Sequence, residues 1–85
     1  MSIFGSKRFK LCSPAYNAVM RHTQKNGEID TSALRENVIQ AEKDIYDPRC
    51  LGDPVKMRRY ASDLKEVADY AEKYPKKVFE VSDGG

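Results

Sequence analysis

Eighty-five residues allow one domain, and a chain that short buries only about 60–65% of its unfolded surface, so its core is small. Apolar residues make up 40% and charged residues 33% of the sequence, the balance of a folded soluble domain rather than a disordered one. The net charge is only +2, and the longest run without charge, Leu11 to Met20, is interrupted by Pro14, so no segment reads as membrane-spanning.

In chain order, residues 1–12 read as a basic N-terminal arm. No apolar segment follows its charges, so no secretory signal is expected, and Ser2 excludes N-myristoylation. The first helix is expected to open with Ser13 as N-cap and Pro14 at its first position, and to close at Asn26-Gly27 about three and a half turns later. The second is capped by Asp30, Thr31 or Ser32. Leu34, Val38, Ala41 and Ile45 fall on one face, Ile39 and Tyr46 widen that stripe, and Pro48 stops it.

A connection of about seven residues follows, with Leu51 tucked onto the core and Cys50 incidental. Asp53 and Pro54 open the third helix, which runs to Tyr74. Met57, Tyr60, Leu64, Val67, Ala71 and Tyr74 alternate three and four apart, the strongest periodicity in the chain, with Ala61 and Ala68 beside it for close approach. Residues 76–85 read as a tail. The short alternations Phe9/Leu11 and Phe79/Val81 leave two options for the ends: loosely attached arms, or a two-stranded ribbon that clips them together. The expected class is all-α: a three-helix domain over residues 13–75, with helices two and three packed as an antiparallel hairpin. The length of helix three suggests self-association through helices two and three.

Charge is unevenly distributed along the chain. Residues 1–27 carry +5 with no acid, residues 28–47 carry −4, residues 48–61 carry +3 and the remainder carries −2. The third block places Lys56, Arg58 and Arg59, with Arg49 nearby, at the start of a helix. There the backbone dipole disfavours each exposed cation by about 0.3–1 kcal/mol. Such a cluster suits a partner's carboxylates or phosphates; the alternative is neutralisation by the chain's own acids across the hairpin. Lys7, Arg8 and Lys10, interleaved with aromatic residues, form a second basic candidate. Tyr16 and Tyr70 are candidate contacts, because tyrosine beside arginine is common in protein interfaces.

Enzymatic chemistry lacks a constellation. His22 is the only histidine, and neither Cys12 nor Cys50 comes with an orienting third group. Cys12, His22 and Cys50 lack the paired short spacings of structural zinc, so neither metal nor cofactor is expected. Two cysteines are too few for a secreted disulfide framework, which favours reduced thiols in the cytoplasm, with a single bridge as the alternative. A helix-turn-helix reading of DNA is opposed by Glu36 and Glu42, outward-facing acids on the second helix. The expected function is a non-enzymatic binding protein, a regulator, inhibitor or assembly factor, that docks on an acidic protein surface through Lys7, Arg8, Lys10, Arg49, Lys56, Arg58 and Arg59. The alternative is a nucleic-acid or nucleotide binder that uses the same residues.

Overall fold

A computed structural model describes residues 7–49, 52–75 and 79–84. The element order is β1 (Lys7–Leu11), α1 (Ser13–Arg21), α2 (Thr31–Tyr46), α3 (Pro54–Lys73) and β2 (Phe79–Asp83). The all-α expectation is corrected: β1 and β2 form a two-stranded parallel sheet, in register from Lys7 opposite Phe79 to Leu11 opposite Asp83. The pairing is driven by burial. Phe9 and Leu11 point inward and are buried, with Phe79 and Val81 half-buried on the same face, while Arg8, Lys10, Glu80 and Ser82 occupy the outer face. Five-residue strands give too short an alternation to outweigh three helical patterns when the sequence is read alone.

The helices follow the sequence unevenly. Asp53 caps α3 by accepting the Val55 N–H, as expected, and of the three candidates for α2 it is Asp30 that caps, accepting the Ala33 N–H. α1 is shorter than expected, nine residues ending at Arg21, and Cys12 rather than Ser13 holds the N-cap position. The Ser13 hydroxyl instead donates to Asp83 at 2.7 Å. At the other end of α1, the Thr23 hydroxyl donates back to the Val19 carbonyl, and Thr23 and Ile29 pair as an isolated antiparallel bridge. Asn26-Gly27 therefore forms the tip of a tight turn beyond the helix, where the φ of +86° at Gly27 favours glycine.

α2 and α3 lie antiparallel. Arg35, near the start of α2, meets Asp69 and Glu72 near the end of α3, and Glu42 meets Lys65 further along. The core lies between this hairpin, α1 and the inner face of the sheet, with Leu11, Val19, Leu34, Leu64 and Val67 fully buried. Phe9, Tyr70, Tyr74 and Phe79 form an edge-to-face and tilted aromatic cluster beneath the sheet, with ring centroids 4.9–5.7 Å apart. No described helix is long and apolar enough to cross a membrane.

Candidate functional site

The deeply buried positions of the hairpin stop at Ala41 on α2 and resume at Ala61 on α3, so the connecting end projects beyond the core. Aspartates organise this tip. The Asp47 carboxylate accepts the Arg49 backbone N–H at 2.8 Å, and the Asp53 carboxylate accepts that of Val55 at 2.9 Å. Tyr46 is 81% exposed and Val55 is 70% exposed. Arg49, Lys56 and Arg58 are exposed on the same tip. Sequence reading placed Tyr46 and Ile39 beside the core stripe; both are exposed instead. The expectations for Cys50 and Leu51 fall outside the described residues.

The four cations of the cluster divide. Arg59 is structural: its Nε lies 3.1 Å from the Asp63 carboxylate one turn ahead on α3. Asp63 is buried and also accepts the Cys12 backbone N–H at 2.9 Å, which ties the β1–α1 junction to the middle of α3. A buried carboxylate needs such partners, because an unpaired one is costly to desolvate. Arg49 stands 3.7 Å from Asp47, an exposed pair of small energetic value. For Lys56 and Arg58, no carboxylate among the described residues lies within ion-pair distance. Asp63 went unnoticed in the sequence. Its signal was an acid adjacent to the stripe residue Leu64 and four positions after an arginine.

The strand cations sit apart from this tip. The Lys7 ammonium lies 5.4 Å from the centre of the Phe9 ring, and Arg8 pairs with Glu80 at 3.3 Å across the sheet. The Lys10 stem lies over Gly84, where a Cβ would come within 2.5 Å of its Cγ. Of the candidate tyrosines, Tyr70 belongs to the aromatic cluster of the core, and Tyr16 is half-buried.

Two grooves flank α1. The first, about 620 Å³, opens where α1 packs on α3 and the sheet more than on α2; Arg21, Lys56, Asp44, Asn37 and Tyr60 line it. The second, about 900 Å³, lies between the end of α1, the Asn26-Gly27 turn, the end of α3 and β2. Met20, Ile29, Tyr74 and Phe79 give it an apolar surface, and the charged side chains among its described lining are Glu28, Glu72 and Glu80.

Nucleophilic chemistry finds little support in the geometry. Burial pushes the Cys12 thiol above its ordinary pKa of 9.0, and Asp63 beside it pushes the same way, so the thiolate is scarce at neutral pH. The His22 ring stands 3.4 Å from the Asn37 amide. Among the described residues no cluster of three His, Cys, Asp or Glu side chains is arranged to hold a metal. No protein-family model, curated protein or solved structure matches the chain.

Proposed function

We propose that this chain is a non-enzymatic binding protein that docks on an acidic protein surface through the tip of the α2–α3 hairpin. One observation carries the reading: Tyr46 and Val55 stand largely in solvent at the connecting end of the hairpin, which also carries the exposed Arg49, Lys56 and Arg58. An exposed aromatic and an aliphatic side chain beside arginines have the composition of an interface centre with a charged rim. Lys7, Arg8 and Lys10 on the sheet form a separate, weaker basic surface, because Arg8 already has Glu80. A cytoplasmic setting, as a small regulator or assembly factor, fits the sparse cysteine content. A nucleic-acid partner would hold phosphates with the same cations, but it would leave the apolar centre of the tip without a role.

The test compares capture from a nuclease-treated lysate by the wild-type chain and by an Arg49→Ala/Arg58→Ala variant. Capture that survives nuclease and is lost in the variant supports the reading. Capture abolished by nuclease, with a steep log-linear fall in salt, would replace it with nucleic-acid binding.

A further inference from the structure

The two-stranded sheet has two edges, and the hydrogen bonds that close it show which backbone groups point outward. The Gly84 N–H donates to the Leu11 carbonyl at 2.6 Å, one position past the Leu11–Asp83 pair. Along a strand of a parallel ladder, successive residues turn their backbone groups alternately toward the partner and away from it. Lys7, Phe9 and Leu11 therefore face β2. Arg8 and Lys10 turn their N–H and C=O groups to the other side, where no described residue bonds them. A shallow groove of about 400 Å³ lies between β1 and α3. Its sheet residues, Lys7 and Phe9, both belong to β1, and Tyr70 and Tyr74 give it an aromatic wall.

Two donors and two acceptors along one edge are a template for a further strand. Charge indicates whose strand. Lys10 has no carboxylate among the described residues within ion-pair distance, and the Lys7 and Lys73 ammonium groups lie over the Phe9 and Tyr74 rings. Arg8 holds Glu80. Of the two acids along the groove, Asp69 is held by Arg35, which leaves Glu66. The β1 strand of a second copy would set cation against cation, and lysine on an edge strand opposes such self-pairing. We infer that the outer edge of β1 receives an extended acidic segment of another protein as a third strand. The side chains of that segment alternate: carboxylates on the outer face beside Arg8 and Lys10, apolar groups on the inner face beside Tyr70 and Tyr74. This site is separate from the hairpin tip and does not depend on it.

Titration of the full chain at low salt with a short fluorescent peptide alternating Glu and Val tests the inference, read by anisotropy. Saturable binding is expected, about tenfold tighter than that of a peptide alternating Lys and Val. Backbone N-methylation distinguishes an added strand from a bound anion. Methylating the Val nitrogens blocks one edge of the peptide, and methylating the Glu nitrogens blocks the other. One set should weaken binding by about tenfold, and the other should leave it unchanged. In amide hydrogen exchange, Arg8 and Lys10 should exchange faster than Phe9 and Leu11 in the free chain and slow in the complex. Lys10→Glu, with folding checked by circular dichroism, should also weaken the Glu-Val peptide; the peptide comparisons use the wild-type chain and stand without it. Absence of saturable binding, equal binding of the two peptides, or indifference to both methylations overturns the inference. So does protection of the Arg8 and Lys10 amides in the free chain, and protection that grows with chain concentration would make a second copy the occupant. None of these outcomes bears on capture through the tip.

Discussion

The two ends of the α2–α3 hairpin are made of similar residues and do opposite things. At the sheet end, Leu34, Val38, Leu64 and Val67 are buried, and Arg35 bridges Asp69 and Glu72 across the helices. At the tip, Tyr46 and Val55 continue the same two helices but face water, and Lys56 and Arg58 meet no carboxylate of the described residues. What separates the ends is cover. Phe9 and Phe79 of the sheet pack on Tyr70 at one end, whereas Tyr46 and Val55 at the other remain exposed. A hairpin stabilised at one end can therefore present the other at little energetic cost to the fold, which is how a small domain combines stability with a contact surface.

The sharpest way to break this contrast is at the closed end. Leu64→Ala removes a fully buried side chain and should destabilise the domain by about 2–5 kcal/mol, read as a fall in the urea midpoint. Asp63→Asn comes next. The amide can still accept one bond, but it loses its charge-assisted pairing with Arg59 and with the Cys12 N–H, and a loss of about 1–3 kcal/mol is expected. A variant as stable as the wild-type chain in chemical denaturation would show that this carboxylate does not hold the β1–α1 junction. Tyr46→Ser, at the open end, should change stability by no more than about 0.5 kcal/mol while weakening capture of a partner. A large loss of stability there would place Tyr46 in the core and remove the contrast.

The smallest effect is a pH dependence at the closed end. Hydrogen bonds from Arg35 hold the Glu72 carboxyl below its ordinary value of 4.5. A depressed folded-state pKa contributes stability that is present above the ordinary value and is lost as the pH falls through the depressed one. Both groups are exposed, so the contribution is small and screened by salt. Melting curves between neutral and acid pH should steepen their decline below the ordinary carboxylate range in the wild-type chain, and Arg35→Gln should remove that part of the decline.

The hairpin was legible in the sequence because its signals are long and mutually consistent. The stripe on α3 spans most of twenty residues, and the caps Asp30 and Asp53 sit where the helices begin. The sheet was legible only as one of two options for the ends, because five-residue alternation carries little weight and the parallel pairing joins segments at opposite ends of the chain. Asn26-Gly27 misled in the same way: a helix stop and a tight turn use the same two residues, and only the Thr23–Ile29 bridge distinguishes them. Of the basic candidates, composition located the tip but could not divide it, since Arg59 and Arg58 are neighbours in sequence and only one has Asp63 one turn ahead. The exposure of Tyr46 and Val55 was invisible, because periodicity shows which face a residue shares but not how far along a helix its cover extends.

The parallel pairing of the ends also orders events in time. Lys7 and Phe79 are 72 positions apart, and closing a loop of that length costs about 4 kcal/mol in chain entropy before any strand bond is made. The sheet is thus expected to close after the helical hairpin during refolding and to reopen before it. Until it closes, Phe9 and Leu11 remain uncovered, and proteases would find the ends of the chain cleavable while the three helices already stand.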